Sequence, residues 1–171
     1  MRITGALSRS ETFSRARIEI ERGLRSGHPI SFLMLDIDHF KNVNDQYGYP
    51  CGDSVLANLV KHCREQLRII DILGRVGGEE FLVVLPESSQ EDCYEVTERL
   101  RRWVASNPTL SDHGSEIFIT ISIGMSTYDP RYFGENNPVT IFKAFYKTAD
   151  QAMYKARMAG RNRVEVWSGN V

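Results

Sequence analysis

The chain has no excess of positive charge. In its 171 residues, 21 lysines and arginines stand against 22 aspartates and glutamates, a formal net charge of -1. A surface so balanced does not hold duplex nucleic acid through its general field, so any recognition of phosphate must come from a few placed groups. Cysteine is scarce too: Cys51, Cys63 and Cys93 form neither a CxxC pair nor a metal-finger spacing. An odd count with no signal peptide fits free thiols in a reducing compartment, and the expected location is cytoplasmic. No apolar run has the length needed to span a bilayer, and residues 1–8 resemble neither a secretory nor a transit signal. A membrane anchor elsewhere in a longer protein stays compatible with this. His28, His39, His62 and His113 are scattered and suggest no ligand or base cluster. There is no internal repeat and no low-complexity segment.

The composition is that of one globular domain, 42% hydrophobic and 25% charged, so residues 1–171 are expected to share a single core. A short lead-in, Ile3 to Arg9, precedes a helical pattern from Ser10 to Arg25 that stops at Gly27. Pro29 to Leu35 is a continuous apolar run, expected as a central strand buried on both faces, and it ends in Asp36-Ile37-Asp38. His39 to Tyr49 reads as a polar turn or helical loop, and a second helix is expected to open at Gly52-Asp53-Ser54, with Asp53 as N-cap. The stretch from Asp71 to Leu85 reads as a hairpin, followed by a helix from Ser89 to Ala105 and a polar connector from Asn107 to Ser115. Ile117 to Met125 is strand-like, Val139 to Met158 helical, and Arg163 to Trp167 a closing strand. Helices and strands interleave around one hairpin, which suits an α/β or α+β sandwich with a mixed sheet covered by helices.

The hairpin carries the most telling residues, Arg75-Val76-Gly77-Gly78-Glu79-Glu80-Phe81. Gly77 and Gly78 tolerate positive φ and suit a tight turn, which then projects Glu79 and Glu80 from the rim of the sheet. On its own such a run is most often a solvated hairpin tip. Asp36 changes that weighting, because the end of the first strand and the turn can lie side by side. Three carboxylates at one rim repel, and a hard divalent cation relieves the repulsion; Mg²⁺ favours a few carboxylate oxygens, a backbone carbonyl such as that of Ile37, and substrate phosphate. Two ions about 3.5 to 4 Å apart would serve an in-line displacement at phosphorus, which points to nucleotidyl transfer.

Gly77-Gly78-Glu79-Glu80-Phe81 resembles the signature of the GGDEF family of diguanylate cyclases, in its GGEEF variant. Asp36-Ile37-Asp38-His39-Phe40-Lys41-Asn42-Val43-Asn44-Asp45, running on to Tyr47-Gly48-Tyr49 and Gly52-Asp53, resembles the family's other long motif at its spacing. Ala149-Asp150, Tyr154-Lys155-Ala156 and Gly160-Arg161-Asn162 are similar to its closing helix, with Arg157 in place of the usual lysine. The lead-in is also similar, with Ser8 for the usual asparagine. The resemblance implies a mostly antiparallel five-stranded sheet wrapped by helices, like the palm of nucleotide cyclases and polymerases. It implies condensation of two GTP into cyclic di-GMP with loss of two pyrophosphates, across a homodimer in which each domain presents one nucleotide. Asp36, the Ile37 carbonyl and Glu80 would bind Mg²⁺, with Mn²⁺ as the alternative ion; Glu79 would bind metal or take the proton of the attacking hydroxyl. Asn44 and Asp53 match the guanine readers, and a carboxylate suits the two donors on guanine's edge. Lys41, Arg157 and Arg161 match phosphate-binding positions, while Phe40, Gly77 and Gly78 belong to the nucleotide site. Tyr49 stands where the family usually has histidine.

Arg68-Ile69-Ile70-Asp71 falls where the family places an arginine-x-x-aspartate site for product inhibition, with Arg68 on a phosphate or guanine and Asp71 on the guanine edge. Without that resemblance the pair would be an exposed surface ion pair of little worth. The family pattern also implies that this is the C-terminal output domain of a longer protein with an upstream sensory or dimerising segment. The competing reading is a catalytically weak or inactive module that binds GTP or cyclic di-GMP and signals through contacts. Intact Asp36, Glu79 and Glu80 weigh against it and Tyr49 weighs for it.

Overall fold

The computed structural model describes residues 4–171; Ile3 of the lead-in lies outside the described residues. In chain order the elements are α1 (Arg9–Ser26), β1 (Ile30–Ile37), α2 (Phe40–Tyr47), α3 (Tyr49–Gln66), β2 (Ile72–Arg75), β3 (Glu80–Pro86), α4 (Gln90–Ser106), β4 (Thr109–Leu110), β5 (Glu116–Ile117), β6 (Ile121–Tyr128), α5 (Pro138–Met158) and β7 (Arg163–Val166). Five strands form one sheet in the order β2-β3-β1-β6-β7. Among the five strands of this sheet only the β6–β7 pairing is parallel, so the mixed, mostly antiparallel sheet expected from the sequence is present.

All eight residues of β1 are buried, and it pairs with β3 on one side and β6 on the other. Strand alternation sorts the apolar residues into two layers. Leu33, Leu35 and Ile37 join Val83, Ile123 and the inner faces of α3 and α4. Phe32 and Met34 join Leu82, Val84 and the inner faces of α1 and α5. Local signals set the helix ends. Ser8 and Glu11 form a reciprocal capping box at the start of α1, and Gly27 closes that helix in the left-handed conformation.

The position of α5 depends on one residue. Gly124 of β6 lies directly beneath it, and a Cβ there would collide with the backbone at Ala149 and Met153. Backbone atoms of a packed helix cannot step aside as a side chain can. Gly124→Ala is therefore expected to cost about 2 kcal/mol of stability, read as a lowered denaturation midpoint at unchanged m-value.

The structure departs from the sequence expectations in four places. His39 to Tyr49 is mostly a true helix, α2. The next helix starts at Tyr49 with Gly48 as its cap and a proline in its first turn, so Asp53 lies inside α3 and is not an N-cap. The supposed connector 107–115 contains β4, which pairs with β5 as a separate two-stranded ribbon, and the sheet strand begins only at Ile121. Finally, neither Gly77 nor Gly78 takes positive φ. The turn spans four residues, Val76 to Glu79, between β2 and β3, and that length removes the need for left-handed geometry. Among the described residues, no helix is long and apolar enough to cross a membrane.

Candidate active site

Asp36 of β1 stands directly opposite Glu80, the first residue of β3, in the antiparallel register. Both continue the alternation of Met34 and Leu82, so the two carboxylates lie on the α1/α5 side of the sheet at its end. Asp36 is only 3% exposed. Burial pushes its pKa up to about 7; the Arg157 guanidinium, 3.5 Å away, opposes the rise, and Glu79, Glu80 and Asp38 reinforce it. The Glu80 carboxyl is raised as well, first by burial and then by Asp150 and Glu79, with Arg157 and Arg9 pulling it back. Space for Glu80 comes from Gly77: a Cβ on that residue would lie 2.7 Å from Glu80 Oε2.

The backbone joins these groups. The Val76 and Gly77 N–H groups both donate to the Glu80 carbonyl (2.9 and 3.2 Å), and the Ile37 N–H donates to the Glu79 carbonyl (3.3 Å). Ile37 is thus the junction between β1 and the turn. Arg75 donates to the carbonyls of Gly77 and Gly78, and Arg9 to that of Val76.

Asp38, two residues beyond Asp36, has a different task. Its buried carboxylate accepts from Thr120 Oγ1 and Ser122 Oγ, each at 2.6 Å, and from the Asn162 N–H at 3.0 Å. It ties the end of β1 to the approach and start of β6 and to the turn after α5. That turn carries Arg161 and Asn162, both at positive φ, and Arg101 also grips Asn162.

An open cleft of about 180 Å³ brings together Asp36, Ile37, Phe40, Lys41, Glu79, Arg157 and Arg161 of the expected residues, with Asp38, His39 and Asn42. Its lining includes the acids Asp36, Asp38 and Glu79 and the cations Lys41, Arg157 and Arg161, and Arg157 lies 3.5 Å from Asp36. Glu80, Gly77, Gly78, Asn44, Tyr49 and Asp53 lie outside this lining. Asn44 on α2 packs against Gly52 of α3, where its amide fills the place a Cβ would take. Asp53, the next residue along α3, is exposed and its side chain has no hydrogen-bond partner among the described residues. Tyr49 is 76% exposed at the start of α3.

Arg68 and Asp71 lie before β2, at the end of that strand away from the turn. The pair is closed on itself. Arg68 donates to Asp71 through its backbone N–H (2.7 Å) and through Nη2 (2.9 Å), and Nη2 also reaches the Pro86 carbonyl (2.7 Å). The Asp71 side chain is 3% exposed while that of Arg68 is half-exposed.

Sequence reasoning assigned no role to Asp38, Arg9, Arg75 or Asp150. An aspartate at i and i+2 on one strand end was the available signal for Asp38. Nothing in the chain order pointed to Arg9, whose partner is 67 positions away.

The donor set fits a hard cation. Asp36, Glu79, Glu80 and the Ile37 carbonyl supply oxygen alone, and the Asp36 and Glu80 carboxyls are raised by burial first and by neighbouring acids second. Among the described residues no three Asp, Glu, His or Cys side chains form a ready-made cage.

Residues 2–163 match the family described as diguanylate cyclase, GGDEF domain. The chain is 38% identical over 164 residues to the diguanylate cyclase DgcP of Pseudomonas aeruginosa, covering 96% of this chain and 23% of that protein. It is 36% identical over 163 residues to the response regulator PleD of Caulobacter vibrioides, covering 95% and 34%. The chain therefore spans about a quarter to a third of the length of these relatives. Among solved structures, the active GGEEF domain of a diguanylate cyclase from Vibrio cholerae superposes with a TM-score of 0.84 at 31% identity, over 96% of this chain and 99% of that one. The GGDEF domain of DgcB from Caulobacter crescentus, solved in complex with c-di-GMP, gives a TM-score of 0.88 at 26% identity, over 99% and 95%.

Proposed function

This chain belongs to the GGDEF family of diguanylate cyclase domains, and from that premise we propose that it condenses two GTP into cyclic di-GMP and two pyrophosphates. Two domains face each other, each holding one nucleotide. The observation that carries this reading is the cross-strand pair Asp36 and Glu80 at one end of the sheet, with Asp36 lining the same cleft as Lys41, Arg157 and Arg161. Those three cations hold the triphosphate, the two arginines through planar guanidinium groups. Asn44 and Asp53 read the guanine edge, Phe40 and the two glycines shape the approach, and Tyr49 flanks the base. Asp36, Glu80 and the Ile37 carbonyl hold Mg²⁺ or Mn²⁺, which when bound supplies positive charge at the reacting phosphate. Glu79 either adds an oxygen to that set or takes the proton of the 3′-hydroxyl that attacks the partner nucleotide's α-phosphorus.

Incubation with GTP and Mg²⁺, followed by chromatography and mass measurement, tests the reading: cyclic di-GMP and pyrophosphate are expected in a ratio of one to two. Tight GTP binding without either product would instead identify a signalling module that lacks catalysis. The domain works in the cytoplasm, under an upstream sensory or dimerising segment of a longer protein.

Product inhibition is proposed for Arg68 and Asp71. The half-exposed guanidinium is available to a phosphate of cyclic di-GMP, while Asp71 is reached only if Arg68 swings away from it. Loss of a charge-assisted contact costs about 1.5–3 kcal/mol, so Arg68→Ala is expected to raise the inhibition constant for cyclic di-GMP at least about tenfold. An unchanged inhibition curve would remove the assignment.

A further inference from the structure

We propose that Arg9 is a positioning residue for the acidic turn, which makes the start of α1 a working part of the reaction centre; this rests on the cyclase reading. The three carbonyls of the turn that precede Glu79 are all held by guanidinium groups. Arg9 Nη1 donates to Val76 at 2.7 Å, and Arg75 donates to Gly77 at 3.3 Å and to Gly78 at 3.0 and 2.6 Å. Arg75 belongs to the hairpin itself, whereas Arg9 reaches it from another element.

The lead-in just before α1 also grips the hairpin. The Leu7 N–H donates to the Leu73 carbonyl (3.1 Å), the Arg75 N–H donates to the Leu7 carbonyl (3.0 Å), and Leu7 forms a parallel bridge with Gly74 at the sheet edge. Leu7 thus fixes the backbone of Arg75, and Arg9 fixes the turn beyond it. The Arg9 side chain is itself oriented, since its guanidinium lies 4.8 Å over the Phe13 ring, which meets Tyr146 of α5 edge-on. A turn rich in glycine has little of its own to define it, and Glu79 and Glu80 take their aim from these carbonyl contacts.

Arg9→Ala is expected to lower kcat roughly 10- to 100-fold, the scale of a small misplacement of reacting groups. KM for GTP should stay within about twofold, because guanine and phosphate are held from α2, α3 and the end of α5. The Mg²⁺ concentration for half-maximal rate should rise, and Mn²⁺ binding in the presence of GTP, followed by electron paramagnetic resonance, should weaken in parallel. Arg9→Lys keeps one donor without the planar fork and should recover part of both.

Wild-type kcat and Mn²⁺ binding in Arg9→Ala would overturn the proposal. So would a loss that only follows the fraction of unfolded protein, measured by thermal denaturation of the same samples. A wild-type protein that binds Mn²⁺ yet forms no cyclic di-GMP would defeat the cyclase reading alone, leaving the binding comparison to decide on Arg9. Absence of Mn²⁺ binding in the wild type would overturn both.

Discussion

Replacement of Glu80 by glutamine is expected to reduce turnover at least about a hundredfold at saturating GTP and Mg²⁺. The side chain keeps its size and loses only its charge, so the space above Gly77 remains filled. What disappears is one of the two carboxylates paired across β1 and β3. A bound divalent ion contributes several kcal/mol of transition-state charge stabilisation, and about 1.4 kcal/mol corresponds to tenfold in rate. A glutamine oxygen remains a weak ligand, so the loss falls short of complete inactivation. Pyrophosphate release is the readout, and near-normal turnover would remove Glu80 from the metal site. The folded domain should not suffer, because the Glu80 carboxyl is already pushed toward its neutral form by burial, Asp150 and Glu79.

Asp36→Asn should separate activity from stability more sharply. Activity is expected to fall at least about a thousandfold, since a carboxylate at the centre of the proposed metal site becomes neutral. Stability should rise. Asp36 moves from an ordinary pKa of 3.8 to about 7 in the folded chain, so the native state holds a proton that the unfolded chain has already released between those values. Wild-type stability from this group is complete below about pH 4 and is lost as pH rises through about 7. Above that point the buried negative charge costs up to about 4 kcal/mol, from about 1.4 kcal/mol for each pKa unit. The stability difference between Asp36→Asn and wild type should therefore be small near pH 4, grow toward neutrality and level off above about pH 8. Denaturant titrations across that range provide the measurement, and a difference independent of pH would show that Asp36 is not destabilised by its surroundings.

Much of this arrangement was legible in the sequence, for reasons specific to each part. The run Ile30 to Leu35 announced a strand buried on both faces because nothing polar but Ser31 interrupts it. The hairpin was legible because two apolar runs flank the glycines. The expected order of strand and hairpin allowed Asp36 to approach Glu79 and Glu80, and in the observed register Asp36 stands opposite Glu80. The start of α3 was misplaced because Asp53 resembles a cap, although Gly48 and Pro50 carry the better signal, a glycine followed by proline in the first helical turn. The ribbon of β4 and β5 was invisible because two-residue strands have no period to detect. Gly77 was read as a source of unusual φ, whereas its use is to leave room for a carboxylate. The contacts of Asp38 and Arg9 were beyond reach, since their partners are fixed only when distant elements meet.

The partners of Asp38 come from residues 120, 122 and 162, separated from it by 82, 84 and 124 positions. Joining such remote stretches carries a loop-closure cost that must be met before the contacts return anything. Thr120 and Ser122 come into place as β1 pairs with β6, and the carboxylate is enclosed fully only when the turn after α5 adds the Asn162 N–H. Asp38→Asn should then accelerate unfolding and leave the refolding rate almost untouched, a signature visible in the two arms of a chevron plot. The turn after α5 that closes this corner also carries Arg161, so the contact to Asn162 sets one cation of the cleft in place as it forms.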